Sequence, residues 1–158
     1  MKTCEEMLRD RGCKHVTRTH DGDEDRPAIQ GWGGSTIMDV YVHSGERVGV
    51  KFARTCVEGS GRRDVIIVGV PTAFTRKEFE GRVQFFAPGQ VCYNVTHHAL
   101  VPKHTVVAST QFKVDNLPVM KKTDPVAQYY GWDVGTVVRI ERVFGGHEPV
   151  VFFRLVVP

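Results

Sequence analysis

The sequence predicts an α+β/α/β protein of two small domains, one over residues 1–96 and one over residues 97–158. Three observations predict it: an amphipathic helix opens the chain, strand-like segments with turns follow it, and the last third combines short strands with one short helix. A chain of 158 residues can bury one ordinary core or two small ones. Its 41% hydrophobic and 25% charged residues are typical of soluble globular proteins.

The opening helix is expected over residues 3–11. Cys4, Met7 and Leu8 recur at the i, i+3, i+4 spacing that places them on one face, and Gly12 follows where a helix would stop. Residues 20–34 combine acidic residues and glycines without any period, which predicts a loop.

A hairpin is expected next. Residues 37–43 alternate in the strand period, residues 44–46 supply a turn, and residues 47–53 place Val48, Val50 and Phe52 on one side. The apolar run at residues 65–68 predicts a buried strand. A brief helix over residues 77–83 and a last strand over residues 91–95 complete the first domain.

The second domain has clearer signals. Residues 105–107 and 119–121 are predicted strands. Thr123 is expected to cap a short helix with Asp124 and Pro125 in its first turn, where a carboxylate suits the helix dipole and a missing N–H costs nothing. Gly131 ends this helix. Residues 136–143 and 150–157 are predicted to pair around a turn at residues 145–147.

Two segments of the second domain carry a family resemblance. Residues 94–104 read Asn-Val-Thr-His-His-Ala-Leu-Val-Pro-Lys-His, and residues 123–131 read Thr-Asp-Pro-Val-Ala-Gln-Tyr-Tyr-Gly. Together with residues 117–118, 137–140 and 153–156 they resemble, in order, the assembly domain of the fifth shared subunit of eukaryotic nuclear RNA polymerases and its archaeal counterpart. Residues 6–12, 48–51 and 70–73 correspond more weakly to the family's amino-terminal part.

The resemblance implies a trimmed, nuclease-like α/β jaw domain followed by a small mixed β-sheet assembly domain with a short helix. It implies a non-catalytic subunit of a multisubunit DNA-dependent RNA polymerase. Its partners would be the largest polymerase subunit, other polymerase subunits and downstream double-stranded DNA. The expected location is the nucleus, or a virus factory or virion if a virus encodes the chain. The alternative is a free-standing transcription regulator or nucleic-acid-binding protein that uses the assembly domain to dock on the polymerase.

The family's functional positions can be carried over to this chain. Residues expected near DNA, through sequence-independent phosphate contacts, are Pro71, Thr72, Ala73, Thr75, Arg76 and Lys77. Residues expected at the subunit interface are His97, His98, Leu100, Pro102, Lys103, His104, Asp124, Pro125, Val126, Tyr129, Tyr130, Arg139 and Arg154. Of the adjacent tyrosines only one can face the core well, which leaves the other for a partner.

Two departures from the family pattern stand out. The family usually has a charged helix between His104 and Pro118, whereas residues 107–112 are too short and too β-branched to keep it, so a turn is expected there. Gln128 stands where the family commonly has arginine. The position therefore lacks the paired N–H donors of a guanidinium group.

A metal-dependent nuclease is not expected. Asp39 and Lys51 invite the comparison, but Gly49 stands where the second carboxylate would be needed to hold Mg²⁺. His97 and His98 would point to opposite faces of an extended chain, so at most one of them could join His104 on a metal ion. The sequence therefore predicts neither metal nor cofactor.

Net charge, cysteine spacing and the length of the apolar runs exclude other classes of protein. The formal net charge of +3 divides into 14 basic and 13 acidic residues through Thr96, and 7 and 5 after it, which is too little for an autonomous high-affinity DNA binder. The four cysteines lack metal-site spacing and are expected to be free thiols. No apolar run approaches the length that spans a bilayer, so no membrane partner is expected.

Overall fold

The computed structural model describes residues 1–19, 26–34, 36–61, 63–111, 113, 116–143, 145 and 148–158, without the side chain of Gln111. These residues form two compact units, Met1–Tyr93 and Asn94–Pro158. Both units combine helices with a small mixed sheet, which confirms the predicted α+β class.

The first unit is built on a five-stranded sheet in the order β1-β2-β3-β4-β5. The first three strands are antiparallel neighbours, and β3, β4 and β5 are parallel. The strands are β1 (His15–Arg18), β2 (Ile29–Gly33), β3 (Thr36–Val42), β4 (Asp64–Val68) and β5 (Val83–Phe86). The helices are α1 (Lys2–Asp10), α2 (Val50–Ser60) and α3 (Ala73–Glu78).

Helix α1 is confirmed and buries Cys4, Met7 and Leu8 as its spacing predicts. It contacts β1 and β2. A Cβ on Gly31 would lie 2.9 Å from the Cys13 Sγ and 3.1 Å from the Leu8 Cδ1, so the strand needs glycine where the helix side approaches. The prediction of a loop was therefore wrong at Ile29–Gly33; residues 20–25 of that loop lie outside the described residues.

The predicted strand at residues 47–53 was wrong, because this segment leads into helix α2. Gly49 is the extended residue before the helix, and Ala53, Cys56 and Ser60 form its buried face. Strand β3 pairs with β2 and with β4. Because β3 and β4 are parallel, the chain must cross back to the start of β4, and α2 provides that crossover. The buried strand predicted at residues 65–68 is confirmed as β4.

The end of the first unit also differs from the prediction. The helix expected at residues 77–83 lies earlier, as α3, because the Thr72 side chain accepts a hydrogen bond from the Thr75 N–H and starts the helix there. Val83 instead begins β5. The strand expected at residues 91–95 was wrong: 3₁₀ turns occupy Pro88–Val91 and Val95–His97, and the Asn94 side chain caps the second.

The second unit has a four-stranded sheet in the order β6-β8-β9-β7. Its elements are β6 (Lys103–Val107), β7 (Val119–Lys121), α4 (Pro125–Tyr130), β8 (Val137–Arg142) and β9 (Val150–Val157). Strand β8 is antiparallel to β6 and β9, and β7 is parallel to β9. All four predicted strands are confirmed, although Gly146 and His147 of the predicted turn lie outside the described residues. A 3₁₀ turn at Ser109–Gln111 is the helical element of the described residues between β6 and β7.

Helix α4 is capped by Asp124, not by Thr123 as predicted. The Asp124 carboxylate accepts a hydrogen bond from the Val126 N–H at 2.9 Å, and Pro125 occupies the first helical position. Gly131 ends the helix with φ +68°, a conformation that favours glycine. Val126 and Ala127 of this helix form a core cluster with Met120 of β7.

The boundary between the units falls before Asn94, whereas the predicted boundary placed residues 94–96 in the first domain. The Asn94 Nδ2 donates to the Tyr129 hydroxyl at 2.8 Å. Val95 packs against the core cluster of Met120, Val126 and Ala127. These two contacts tie the segment to the second unit.

The four cysteines are free thiols, as predicted. Burial raises the pKa of the Cys4 thiol and the pKa of the Cys13 thiol. No helix among the described residues is long and apolar enough to cross a bilayer.

Candidate functional site

The residues expected at the subunit interface include a docking segment, residues 97–104. The first part of this docking segment is a tight, exposed turn. The His98 Nδ1 accepts a hydrogen bond from the Leu100 N–H at 3.2 Å, and the Val101 N–H donates to the His98 carbonyl at 2.9 Å. Leu100 is 82% exposed, more than any other large apolar side chain described. His98 thus shapes a turn that holds a leucine out in solvent.

A groove follows directly after this turn. It has a volume of about 370 Å³ and is lined by Thr96, Val101, Pro102, Lys103, His104 and Tyr130. The Tyr130 ring stacks on Trp132 with centroids 4.9 Å apart and planes 11° from parallel. The structure therefore brings Pro102, Lys103, His104 and Tyr130 together, although Tyr130 is distant from the other three in sequence.

His104 supplies a neutral imidazole to this groove. Its Nδ1 lies 2.7 Å from the Pro102 carbonyl, so a proton on Nδ1 is donated there and Nε2 is left as an acceptor. Burial lowers the pKa of His104 below its ordinary 6.5, the Pro102 carbonyl and Asp124 act in the opposite direction, and Arg142 and Arg154 add to the lowering.

The predicted residues on helix α4 divide into internal and outward-facing ones. Asp124 caps the helix, and Val126 and Tyr129 are buried. The Tyr129 hydroxyl accepts the hydrogen bond from Asn94. Tyr130 is half-buried, while Pro125 is exposed. Asp124, Val126 and Tyr129 are thus explained by the stability of the unit itself.

The two predicted arginines lie on opposite faces of the sheet. Register places Arg139 opposite Phe153 and Arg154 opposite Val138, and successive residues of a strand alternate between faces. Arg139 is paired with Glu141, and the Arg154 Nη1 lies 3.4 Å from the Val119 carbonyl. A single flat interface cannot include both guanidinium groups.

Sequence reasoning missed the exposed apolar residues on the His104 face of the sheet. Register aligns His104, Ile140 and Phe152 in one row across β6, β8 and β9, and Val106 lies one row further. Phe152 and Val106 are both exposed. The available signal was the run Val-Val-Phe-Phe at the start of β9, which lacks the polar alternation of a strand with one solvated face.

The predicted DNA-proximal segment in the first unit also divides into two sets. Ala73, Arg76 and Lys77 are exposed, while Pro71 and Thr75 are buried. The Thr75 hydroxyl donates to the Val48 carbonyl at 3.1 Å. Its predicted contact with DNA does not fit this burial, because the hydroxyl is used inside the unit.

Asp39, considered above as a nuclease carboxylate, lies inside a buried polar network. It is 2% exposed, and its oxygens accept hydrogen bonds from Gln30 Nε2 at 3.1 Å, Ser60 Oγ at 2.9 Å and Arg63 Nη1 at 2.9 Å. The Ser60 Oγ also lies 3.0 Å from the Tyr41 hydroxyl, and burial raises the pKa of Tyr41. Lys51 lies on α2 and not on a hairpin with Asp39.

No cluster of three or more His, Cys, Asp or Glu side chains suited to a metal ion occurs in the part of the chain that the structure describes. His97 approaches the Asn94 Nδ2 at 3.4 Å instead. The histidines of the docking segment thus have identified roles in local hydrogen bonding.

Comparison with known proteins finds a family match for the second unit. The family model described as RNA polymerase Rpb5, C-terminal domain, matches residues 93–156. The second unit is therefore similar to this domain. The match begins one residue before the unit's own boundary at Asn94. It includes the turn that exposes Leu100, the groove and all of the four-stranded sheet except Val157.

Named relatives extend the comparison beyond the Rpb5 domain. A Dictyostelium discoideum protein named DNA-directed RNA polymerases I, II, and III subunit rpabc1 is 39% identical over 66 aligned positions, 36% of this chain and 34% of that protein. The subunits named RPABC1 of Caenorhabditis briggsae and Caenorhabditis elegans are each 27% identical over 139 positions, 76% of this chain and 66% of theirs. The chain thus spans 34% to 66% of the length of these relatives.

Proposed function

We propose that the chain is a non-catalytic subunit of a multisubunit DNA-dependent RNA polymerase. The observation that carries this proposal is the match of the Rpb5 C-terminal domain to residues 93–156, which is all but the last two residues of the second unit. The names of the relatives from the slime mould and the two nematodes support it. Asp39 is not available as a nuclease carboxylate, since its oxygens accept hydrogen bonds from three internal donors.

The second unit docks on the largest polymerase subunit. Its docking surface consists of the turn that exposes Leu100, the groove beside Tyr130 and His104, and the exposed side chain of Phe152 on the His104 face of the sheet. Apolar and aromatic side chains surrounded by polar groups are the usual composition of the core of such an interface.

The first unit lies in the jaw, beside downstream double-stranded DNA. Arg76 and Lys77 are exposed on α3, and phosphate contacts from such side chains are independent of base sequence. A polymerase that moves along its template needs contacts of this kind. The expected location is the nucleus, or a virus factory or virion for a virus-encoded polymerase.

Variants of the docking surface test the assembly claim. Leu100→Ser and Tyr130→Ala should each lower the fraction of polymerase that retains the subunit during affinity purification through its largest subunit. The matched control is Ile37→Ser, which alters an apolar side chain of the first unit that is 47% exposed. Retention of both variants at the control level, with unchanged thermal unfolding, would contradict the proposed docking surface.

A further inference from the structure

Strand β6 is an open edge of the sheet in the second unit. In the order β6-β8-β9-β7 it pairs with β8 on one side, and none of the other strands that the structure describes lies on its free side. An open edge presents backbone N–H and C=O groups with which another extended chain can pair. The free side of β6 therefore has the groups that a further strand would need.

The hydrogen bonds of the neighbouring strands show how β8 is oriented. The Val156 N–H donates to the Thr136 carbonyl at 2.9 Å, and these two residues continue the register of β8 and β9 by one step. Hydrogen-bonded and non-hydrogen-bonded pairs alternate along an antiparallel ladder. Val137, Arg139 and Glu141 of β8 therefore direct their backbone groups away from β9 and toward β6.

The outward backbone groups of β6 follow from this alternation. The partners of the three β8 residues are Val107, Thr105 and Lys103, which therefore bond to β8. The two residues between them, His104 and Val106, direct their N–H and C=O groups to the free side. Alternate residues of a strand lie about 7 Å apart, which is the spacing at which a second strand presents its own groups. The edge thus has two donors and two acceptors in strand register.

This edge lacks the usual protection against pairing. Edge strands are commonly protected by charged residues, by proline or by their shortness. Strand β6 has five residues, and its lysine, Lys103, stands at the first position. The opposite edge, β7, has only three residues and follows Pro118. Val106, in the open part of β6, is 56% exposed. Of the two edges of this sheet, β6 is therefore the more available one.

The open edge is continuous with the groove described above. Lys103 and His104 belong to β6 and also line the groove, together with Val101, Pro102 and Tyr130. A strand added to β6 would reach the groove where it passes His104. A large apolar side chain at that point of the added strand would contact Val101, Pro102 and Tyr130. One extended segment can therefore use both the backbone edge and the groove.

We propose that an extended segment of the polymerase subunit on which the second unit docks adds a strand to β6. Its backbone bonds to His104 and Val106, and a large apolar side chain of the segment fills the groove. This inference rests on the proposed function and specifies how the partner is held. The occupant is a polypeptide, because a peptide backbone alternates donors and acceptors at the spacing of these groups. A phosphodiester backbone presents acceptors without such donors.

A second copy of this chain fits the edge less well. Two β6 strands can pair in antiparallel orientation with His104 opposite Val106, and this register places Ala108 opposite Pro102. The methyl group of Ala108 is too small to fill a groove of about 370 Å³. A different polypeptide with a larger side chain at this point is therefore favoured.

Two proline variants test the backbone contact. Val106→Pro removes an outward N–H, and proline is tolerated on an edge strand where the N–H faces away from the sheet. Val119→Pro is the matched control, since Val119 is 58% exposed on the other edge strand. Its neighbours Pro118 and Lys122 bond to β9 through a carbonyl and an N–H, so alternation leaves the Val119 N–H pointing outward.

The dissociation rate of the full chain from polymerase would be measured after purification through the docking subunit. Val106→Pro should dissociate about tenfold faster than the wild type, because a carbonyl of the partner strand stays buried without its donor. Val119→Pro should dissociate at the wild-type rate, and so should Val106→Thr, which keeps the N–H. Unchanged thermal unfolding of the isolated variants shows that each one is folded.

Hydrogen–deuterium exchange provides a second readout that needs no variant. In the isolated full chain the outward amides of His104 and Val106 should exchange quickly, as expected for an open edge. In the assembled polymerase their exchange should slow by about a hundredfold or more, because a bonded amide exchanges only when the strand opens. Peptides that cover Lys103–Val107 report this change in mass spectrometry.

The outcomes separate this inference from the proposed function. Release of Val106→Pro at the wild-type rate, or exchange in β6 that is equally fast in polymerase and in the isolated chain, overturns the strand addition and leaves docking in place. Equal loss of Val119→Pro or Val106→Thr also overturns it. A self-associated chain that Val106→Pro converts to monomers identifies a second copy as the occupant, against this inference. A wild-type chain that is not recovered with polymerase contradicts the proposed function itself.

Discussion

Buried polar residues in both units have specific hydrogen-bond partners. Asp39 accepts from three donors, and Thr75 and Asn94 each bond to a neighbouring segment. None of these partners is adjacent in sequence, so residue types alone could not identify them. Asp39 could therefore suggest a metal ligand, and Thr75 a phosphate contact, until the fold assigned each an internal role.

Replacing Asp39 should destabilise the first unit. Asp39→Ala leaves the Ser60 hydroxyl without its acceptor and removes the ion pair with Arg63, which together should lower the free energy of unfolding by about 1–3 kcal/mol. Urea denaturation of the full chain measures this change. Glu46→Ala, at an exposed acid, is the control and should stay within about 0.5 kcal/mol. Equal stability of the two variants would refute a structural role for Asp39.

His104 should make the second unit less stable in acid. Its pKa is lowered by burial in the folded chain, so the unfolded chain takes up the proton first as pH falls below 6.5. The stability contributed by the neutral imidazole is complete above 6.5 and is lost as pH falls through the lower, folded pKa. Denaturation of the wild type and of His104→Gln at pH about 7 and about 5 measures the difference. Identical pH dependence of both proteins would contradict this assignment.

At the scale of elements, the prediction succeeded where one local pattern was sufficient. Strand β8 alternates Val138 and Ile140 with charged residues, β9 has apolar and β-branched runs, and α4 has a cap, a proline and a terminal glycine. Helix α2 was mistaken for a strand because Val48, Val50 and Phe52 alternate, while its buried face consists of the small residues Ala53, Cys56 and Ser60. Small residues give little hydrophobic periodicity.

The second strand was missed for a related reason. Gly31 and Gly33 resemble loop residues, yet Gly31 is required by the close approach of Leu8 and Cys13. That approach depends on where α1 packs, which is a tertiary property. A glycine in this segment could therefore indicate either a loop or a strand that another element approaches closely. Only the packing of α1 distinguished these two explanations.

The first residues of the second unit should decide whether it folds well alone. A fragment of residues 94–158 keeps the bond from Asn94 to Tyr129 and the burial of Val95, and a fragment of residues 97–158 loses both. The longer fragment should be more stable by about 2–3 kcal/mol. Thermal unfolding followed by circular dichroism compares them. Equal melting temperatures would show that the segment before His97 contributes nothing to the unit.

At the scale of the whole molecule, the two units differ in how much the sequence could establish. Residues 93–156 match the Rpb5 domain, and the docking segments quoted from the sequence lie within that match. The site itself was only partly predictable: Tyr130 and His104 could be named, but their common groove required the fold. Val106 and Phe152 were not named, because exposure of an apolar side chain is a property of the folded chain.

Purification of the polymerase tests the central claim most directly. The tagged full chain would be isolated from its native cells, washed through increasing salt, and the molar ratio of the two largest polymerase subunits to the chain measured by quantitative mass spectrometry. A core subunit docked through an apolar surface should remain at a ratio of about one through high salt, because apolar contacts are not screened. A chain that leaves the polymerase at moderate salt, or that is recovered without its large subunits, would contradict the proposal and favour a free-standing regulator.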